Sequence, residues 1–235
     1  MKFKNVIKKA EFIKRLNRFE ALVMLDGREE LVHVPNTGRC RELFIEGTGV
    51  LLEDRRSKSR KTDYELVVVY KNGLPVSIDS QLPNALAQEG IRRGIIKELI
   101  MYGYIKREVT YSGSRFDLLL KKHEDSVKKS DCCFVEIKGV TLEKDSIAMF
   151  PDAPTERGKR HIYELIKARK EGYKSALLFV VQLDFAHSFT PNYVMDPAFG
   201  KAVKQAEAEG VCILAYKCTV NNGEVEISNK IDVII

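Results

Sequence analysis

The sequence has no tryptophan, and its four histidines are scattered along the chain. They are His33, His123, His161 and His187. Histidine-based metal sites need these residues at short, characteristic spacings, so this distribution predicts no such centre. The motifs G-x-S-x-G, G-x-x-x-x-G-K-[ST] and G-x-G-x-x-G are also missing, which argues against a serine hydrolase, a P-loop nucleotidase and a dinucleotide-binding enzyme. Without tryptophan, stacking on bases would fall to residues such as Phe44 or Tyr64, although single aromatic residues of a barrel usually belong to its core.

The cysteines form no C-x-x-C pair and are odd in number. They are Cys40, Cys132, Cys133, Cys212 and Cys218. This pattern predicts reduced thiols and argues against a zinc site. No segment approaches the ~18 apolar residues of a membrane span, and no apolar region follows the first residues as it would in a signal peptide. We therefore expect a cytoplasmic protein that does not associate with a membrane.

The chain has 235 residues, of which 44% are hydrophobic and 31% are charged. This length allows one large domain or two modest ones, each with its own core. The formal net charge is +6 at pH 7. A basic balance favours an anionic partner such as nucleic acid but does not establish one. The sequence leaves a homodimer open as the assembly.

Short strands separated by turn signals dominate the first 80 residues. The predicted strands cover residues 19–25, 30–34, 49–53, 64–70 and 74–78. The turns at Asp26-Gly27 and Asn72-Gly73 are typical of hairpins. Five short strands suggest a small barrel, for which the OB-fold is the commonest candidate, although the pattern fits other small barrels as well. We predict an OB-fold-like nucleic-acid-binding domain over residues 1–80.

The pattern changes at Gln81, where a domain boundary is predicted. Apolar residues recur at helical spacing from there to Gly103, and Glu89 and Glu98 lie on this predicted helix. A second helix is predicted to open at Asp152 or Ala153 and a third to cover residues 198–209, each followed by an apolar strand. Residues 81–235 are therefore predicted to form a mixed-sheet α/β domain, and the whole chain to be α/β (α+β overall).

Charged residues interrupt two apolar strands of this second domain. Asp117 lies in one of them, and Glu136 and Lys138 lie two positions apart in the next. Because residues i and i+2 of a strand face the same side, Glu136 and Lys138 should emerge together. An aspartate followed by Glu-x-Lys is the PD-(D/E)XK pattern of restriction-endonuclease-like domains. The alternative interpretation is an exposed ion pair on an edge strand.

Phosphodiester cleavage needs a metal to neutralise the scissile phosphate and an activated water. Asp117 and Glu136 are predicted to hold Mg²⁺ or Mn²⁺, and Lys138 to orient the water and stabilise developing charge. Glu89, with Glu98 as the other choice, is the predicted additional carboxylate, although each would more often be a solvated helix residue. Gln182 interrupts an apolar strand and is predicted either to face the reacting group or to form a hydrogen bond in the core.

Three basic segments are predicted to contact nucleic-acid phosphates. Their residues are Arg55, Arg56, Lys58, Arg60 and Lys61 in one loop, Asn36 and Arg39 in another, and Arg157, Lys159 and Arg160 at the start of the second predicted helix. The first segment is otherwise a solvated connection, the second a turn before a short helix, and the third an exposed helix start. Cations at a helix N-terminus oppose the helix dipole, which favours a functional role for the third segment.

Several longer motifs resemble the sugar fermentation stimulation protein A family over nearly the whole chain. They include VPNTGR at 34–39, SRFD at 114–117, VEIKGVTL at 135–142 and FPDAPTERG at 150–158. The resemblance implies an N-terminal OB-fold domain, a C-terminal restriction-endonuclease-like domain and non-specific DNA binding with a regulatory link to maltose metabolism. We therefore expect a DNA-binding protein with metal-dependent nuclease activity. The alternative is a non-catalytic DNA-binding regulatory factor in which the carboxylates are relics.

Overall fold

The first half of the chain folds into a closed barrel of five strands, as described by a computed structural model that covers residues 1–221 and 223–235. The barrel strands are β1 (Ile7–Arg15), β2 (Glu20–Leu25), β3 (Arg28–His33), β4 (Gly49–Asp54) and β5 (Tyr64–Lys71). The barrel closes where β3 pairs in parallel with β5, with Val32 opposite Tyr64. A sixth strand, β6 (Leu74–Ser77), forms a hairpin with β5 outside the closed ring. The predicted OB-type barrel is confirmed, and we call residues 1–80 the barrel domain.

The barrel nevertheless contains a different set of five strands from the predicted set. The strand predicted over 74–78 is β6, which extends the sheet, and β1 takes its place in the ring. β1 reads Ile-Lys-Lys-Ala-Glu-Phe-Ile-Lys-Arg, and Phe12 is its one fully buried side chain among these described residues. Charged residues are depleted in strands, so this segment gives little strand signal.

Residues 81–235, which we call the sheet domain, continue with helices and strands in alternation. In chain order they are α1 (Leu82–Arg92), β7 (Tyr104–Tyr111), β8 (Ser114–Lys121), β9 (Cys132–Val140), β10 (Leu142–Lys144), β11 (Ile147–Phe150), α2 (Glu156–Lys170), β12 (Lys174–Val181), β13 (Ser188–Pro191), α3 (Pro197–Ala208), β14 (Cys212–Val220), β15 (Val225–Lys230) and β16 (Asp232–Val233). Among the described residues, none of the helices is long and apolar enough to cross a membrane.

The main sheet of this domain is mixed and has the order β15-β14-β12-β9-β8-β7. β12 lies in the middle and runs parallel to β9 and β14, whereas β7, β8 and β15 are antiparallel to their neighbours. Because both faces of β12 are covered, residues 175–181 are all buried, as expected for a central parallel strand. α1 packs on one face of the sheet, and α2 and α3 pack on the other. A smaller sheet, β10-β11-β13-β16, lies beside it.

Two predicted helices begin or end at different residues. α1 ends at Arg92 and not near Gly103, because Gly94 adopts φ +70° and turns the chain, so Glu98 lies in a separate short turn. α2 begins after Thr155 and not after Asp152 or Ala153. The Thr155 hydroxyl accepts a hydrogen bond from the backbone N–H of Gly158 at 3.0 Å, which is the usual N-cap interaction.

The two domains are joined by polar and backbone contacts as well as by apolar packing. The backbone N–H of Ser77 in β6 donates to the carbonyl of Gln182 at 2.9 Å. Lys71 in the barrel domain pairs with Glu143 in β10 at 2.6 Å. Elsewhere, residues 1–3 hydrogen-bond with residues 223–225, with the Phe3 N–H donating to the Gly223 carbonyl at 2.9 Å. Outward-facing barrel residues such as Val67 pack against the sheet domain, so apolar surface is buried between the two.

Candidate active site

Asp117, Glu136 and Lys138 come together where the antiparallel strands β8 and β9 lie side by side. The register places Leu118 opposite Val135, and the Asp117 carboxylate reaches across to accept the Ile137 backbone N–H at 2.7 Å. The three side chains line a cavity of about 430 Å³, which we call the site cavity. The geometry therefore assembles the three residues that the strand pattern singled out.

Glu136 is the most enclosed member of the group and is 2% exposed. Its Oε1 atom accepts a hydrogen bond from Lys138 Nζ at 2.6 Å and also lies in close contact with His161 Nδ1. Its Oε2 atom is buried and has no hydrogen-bond partner within the described part of the chain. Burial raises the pKa of Glu136, but the hydrogen bond from His161 and the charge of Lys138 outweigh it and lower that pKa below its ordinary value. The carboxylate is therefore held in its charged form with one oxygen free to bind a further group.

Asp117 has a different environment. Asn84 Nδ2 donates to one carboxylate oxygen at 2.8 Å, and the Ile137 N–H occupies the other. Burial raises the pKa of Asp117, and the charge of Glu136 raises it further against these hydrogen bonds. Two neighbouring carboxylates with shifted pKa values in one cavity mark a candidate functional site.

The residues present fit a hard divalent cation. Mg²⁺ is usually held by one or two carboxylates, with water and substrate phosphate completing its coordination. The unpartnered Glu136 Oε2 and the remaining lone pairs of Asp117 supply such a set. Among the described residues there is no cluster of three or more His, Cys, Asp or Glu side chains placed to hold a metal, so an all-protein cage is not formed.

The additional carboxylates considered from sequence lie elsewhere. Glu89 pairs with Arg93 at 3.0 Å on the exposed side of α1 and with the amino group of Met1 at 3.7 Å. Glu98 accepts hydrogen bonds from Tyr216 at 2.8 Å and Lys230 at 2.7 Å. The prediction that either residue completes the metal site does not match this placement. Helix periodicity indicates on which face of a helix a residue lies, but not which other elements pack against that face.

Gln182 adjoins the site but is turned towards the domain junction. Its amide nitrogen donates to the Asp79 carbonyl at 3.0 Å and approaches the Ser77 hydroxyl at 3.4 Å. Its side chain therefore makes the core hydrogen bond that was the alternative interpretation. Its amide oxygen lies next to Gly139, where an added Cβ would come within 2.9 Å of it.

Other residues line the site cavity that sequence reasoning did not assign to it. They are Ser80, Asn84, Glu108, Arg115 and His161. His161 is four positions after Arg157 on α2, so the two share one helix face, and this spacing was the available signal. Asn84 follows Pro83 in the first turn of α1. Its pairing with Asp117 is a long-range contact without a local signature.

The three basic residues at the start of α2 lie in different surroundings. Arg157 lines the site cavity. Lys159 pairs with Glu156 at 2.6 Å, and Arg160 is exposed. Arg157 is thus the one of the three that the fold brings to the candidate site.

The arginines in the loop at 55–61 are paired with carboxylates of their own domain. Arg56 pairs with Asp54, and Arg60 bonds Glu65 at 2.7 Å. Arg55 bonds Glu53 at 2.9 Å, while Lys58 and Lys61 are exposed. The loop borders a separate cavity that shares no lining residue with the site cavity. This placement favours the interpretation of the loop as a connection braced by ion pairs.

Glu65 gives this ion-pair network a pH dependence. Burial raises the pKa of Glu65, but hydrogen bonds from Arg60 and His33 and the charge of Arg55 outweigh it, so the pKa is lowered from 4.5. A carboxyl whose pKa is lower in the folded state stabilises the fold above its unfolded pKa, and this contribution is lost as pH falls through the folded pKa.

Glu65→Gln is therefore expected to lower the free energy of unfolding at pH 7 by about 1 kcal/mol and to flatten its decline below pH ~4.5. Urea unfolding followed by circular dichroism at several pH values measures both effects. Glu29→Gln removes an exposed carboxylate from β3 and should change the pH 7 value by less than about 0.5 kcal/mol. An unchanged acid slope in Glu65→Gln would contradict the assignment.

The loop that contains Asn36 and Arg39 lies between the two domains. Asn36 fixes the loop, since its amide donates to the Ile78 carbonyl at 2.8 Å and accepts the Gly38 N–H at 2.7 Å. On one side the loop borders a cavity of about 360 Å³, which we call the interdomain cavity. On the other side it borders a basic groove of about 690 Å³, which we call the arginine trough. The trough is lined by Arg15, Arg18, Arg39, Arg41 and Phe44, among others.

Comparison with known proteins decides the family. The model of the sugar fermentation stimulation protein RE domain matches residues 81–224, and the model of the SfsA N-terminal OB domain matches residues 13–78. The chain belongs to the sugar fermentation stimulation protein family. Sugar fermentation stimulation protein homologs from Caldanaerobacter subterraneus subsp. tengcongensis and from Clostridium perfringens are each 46% identical over 235 residues, which is 100% of this chain and of theirs.

A solved structure of a family member has the same fold. The structure of Pyrococcus furiosus SfsA in complex with Ca²⁺ is 31% identical in sequence, with a TM-score of 0.87 and coverage of 100% of both chains. The barrel and mixed-sheet arrangement described above is thus the architecture of this family.

Proposed function

We propose that this protein is a nucleic-acid-binding, metal-dependent nuclease of the sugar fermentation stimulation protein family that acts in the cytoplasm on DNA. The observation that carries the proposal is the buried Glu136 carboxylate, held by Lys138 on one oxygen and unpartnered on the other beside Asp117. This is the residue set of the PD-(D/E)XK pattern. The Ca²⁺ complex of the Pyrococcus furiosus relative supports a site for a hard divalent cation. Five free cysteines are in keeping with a reducing compartment.

In this mechanism Asp117 and Glu136 would hold Mg²⁺ or Mn²⁺, which when bound neutralises charge on the scissile phosphate. Lys138 has three donor hydrogens, and one of them goes to Glu136. The others are free to orient the attacking water or to donate to a phosphate oxygen as its charge develops. His161 holds Glu136 in position from the α2 side, and Arg157, at the same helix end, faces the incoming phosphate. Water attack and departure of the leaving oxygen then occur within the site cavity.

A second candidate function is a non-catalytic DNA-binding factor, with the regulatory link to sugar metabolism that the family name suggests. One observation favours it. Each carboxylate oxygen of Asp117 and Glu136 other than Glu136 Oε2 already accepts a hydrogen bond from the protein, so much of the cluster is stable as a structural network. A cation-binding measurement separates the two functions, because a nuclease must bind Mn²⁺ through Asp117 and Glu136, whereas a pure binder need not.

Lys138→Ala is expected to reduce cleavage of labelled DNA in Mg²⁺ or Mn²⁺ by about 100-fold, because it removes the donor beside Glu136. Single-stranded, duplex and branched DNA are compared in one assay. Lys106→Ala, which removes an exposed lysine from β7, serves as the matched control and should retain wild-type activity. Cleavage that persists in Lys138→Ala would remove the proposed role of Lys138. A wild-type protein that binds DNA in a salt-sensitive manner but cleaves none of the substrates would favour the second function.

A further inference from the structure

The site cavity, the interdomain cavity and the arginine trough meet edge to edge. Ser80 lines both the site cavity and the interdomain cavity, and Lys138 and Gly139, adjacent on β9, line one each. Thr37, Gly38, Asp152 and Ala153 line both the interdomain cavity and the arginine trough. The three therefore follow one another from Glu136 and Lys138, between the two domains, to a basic surface on the barrel domain, and residues 37–38 and 152–153 form the rim between the last two.

The interdomain cavity is too small for a double helix. Its volume of about 360 Å³ lies near the lower end of the ~300–1,000 Å³ that is usual for small-ligand pockets. A DNA duplex, whose major groove alone is ~12 Å wide, cannot enter a space of this size. One nucleotide whose base has left the stack is of the right scale. The size of the interdomain cavity thus favours an unstacked strand over a duplex.

The cavity also has the lining that a base requires. Met149, Phe150 and Pro151 form an apolar wall. Asn36, Asp152 and Gln182 add polar side chains to the same lining. The backbone approaches these groups closely at two glycines, since a Cβ on Gly139 would lie 2.6 Å from Pro83 Cγ and 2.9 Å from Gln182 Oε1. A Cβ on Gly38 would lie 2.9 Å from both Asn36 Oδ1 and Asp152 Oδ2. An apolar wall facing a few fixed hydrogen-bonding groups is the usual composition of a ligand pocket.

The arginine trough supplies cations that the protein itself does not neutralise. Arg18, Arg39 and Arg41 are exposed and form no ion pair with the described residues. Arg15 holds the loop at residues 36–39 in place by donating to the Gly38 and Asn36 carbonyls. Its guanidinium lies 4.8 Å from the Phe44 ring centroid. Unpaired arginines beside an aromatic ring are typical of grooves that bind single-stranded nucleic acid. This contrasts with the 55–61 loop, where the arginines are paired.

We propose that the substrate is a single strand of nucleic acid that runs from the site cavity through the interdomain cavity, which holds one unstacked nucleotide, to phosphate contacts along the arginine trough. The proposal rests on the proposed nuclease function for the assignment of the cleaved phosphate. It predicts that the enzyme acts on single strands and frayed ends in preference to intact duplex.

The test narrows the interdomain cavity by a single substitution at its rim. Ala153→Phe places a ring at the edge shared with the arginine trough, and Ala208→Phe places the same ring on the exposed end of α3 as the matched control. Thr37→Trp, at an exposed position on the opposite rim, is a second obstruction should Ala153→Phe not fold. Each protein is assayed for cleavage of a single-stranded oligonucleotide and its blunt duplex in Mn²⁺. Binding of the same strand carrying one 2-aminopurine is measured in Ca²⁺ by its fluorescence, which rises when the base leaves the stack.

We expect wild type to cleave the single strand, and to bind it, about tenfold better than the duplex. Ala153→Phe should lower both the cleavage rate and the affinity for the single strand about tenfold, whereas Ala208→Phe should leave both unchanged. Equal rates on both substrates, with Ala153→Phe behaving as Ala208→Phe, would overturn the single-strand proposal and leave the nuclease function intact. If wild type cleaves neither substrate, the nuclease function fails and the binding assay alone decides. In that case, a wild-type preference for binding the single strand that Ala153→Phe abolishes would support the proposed path. Equal affinities of wild type for the single strand and the duplex would overturn it.

Discussion

Replacing Glu136 with glutamine is expected to reduce metal-dependent cleavage by about 10³-fold or more. Glutamine has the shape of glutamate and can still accept a hydrogen bond from Lys138, so the strand should keep its place. It removes the negative charge that holds the cation against the phosphate, a contribution of several kcal/mol to the transition state. Cleavage rates in Mn²⁺ and direct titration with Mn²⁺ measure the loss of activity and the loss of cation binding in the same protein.

Glu89→Gln is the matched control for this substitution. Glu89 pairs with Arg93 at the surface of α1, where an exposed ion pair contributes only ~0–1 kcal/mol. Its substitution should leave the cleavage rate and the Mn²⁺ affinity within about twofold of wild type. A large loss in Glu89→Gln would show that Glu89 belongs to the metal site after all, and full Mn²⁺ binding by Glu136→Gln would contradict the site as built here.

Lys71→Met is expected to lower the free energy of unfolding by about 3 kcal/mol. Lys71 Nζ donates to the Glu143 carboxylate at 2.6 Å and to the Glu143 backbone carbonyl at 2.5 Å across the domain junction. Glu143 is 7% exposed, so removal of its partner leaves a buried charge that is poorly compensated. Urea unfolding at pH 7, followed by circular dichroism, gives the free energy of unfolding and also detects whether the two domains begin to unfold separately.

Two variants define what the Lys71 result means. Lys71→Met combined with Glu143→Met replaces the pair with apolar side chains and should recover much of the loss, because no charge is left buried. Lys230→Met breaks the pair with Glu98, in which Lys230 is 52% exposed, and should cost less than about 1 kcal/mol. Equal effects of Lys71→Met and Lys230→Met would show that burial at the junction does not matter.

The fold was predictable where strands and turns are local. The hairpin at Asp26-Gly27 and the buried β5 and β12 follow from turn residues and apolar runs. β1 escaped prediction because its charged side chains reach solvent on the outside of a ring that exists only once β4 and β2 flank it. The small sheet of β10, β11, β13 and β16 has strands of four residues or fewer, which are too short to show a period.

The candidate site, too, was predictable only where its residues lie on strands that follow one another along the chain. Two strands that follow one another along the chain usually pair, so the meeting of Asp117 with Glu136 could be anticipated. Asn84 and His161 reach the site from α1 and α2, which pack on opposite faces of the sheet, and their approach depends on tertiary packing. For the basic loop at 55–61, whose contact with nucleic acid stays a prediction, composition counts the cations but does not reveal the carboxylates that pair with them, such as Glu53 and Glu65.

The contact between residues 1–3 and residues 223–225 has a consequence for how the chain acquires its shape. Lys2 and Glu224 are among the most distant partners that the sequence offers, and such pairings slow folding because a long loop must close before they form. At a synthesis rate of ~5–20 residues per second, Lys2 waits roughly 10–45 s before Glu224 exists. The barrel can close in that interval from residues already made. The contact between residues 1–3 and residues 223–225 is thus left to the last stage of folding, together with the packing of Val225 and Ile227 of β15 into the core.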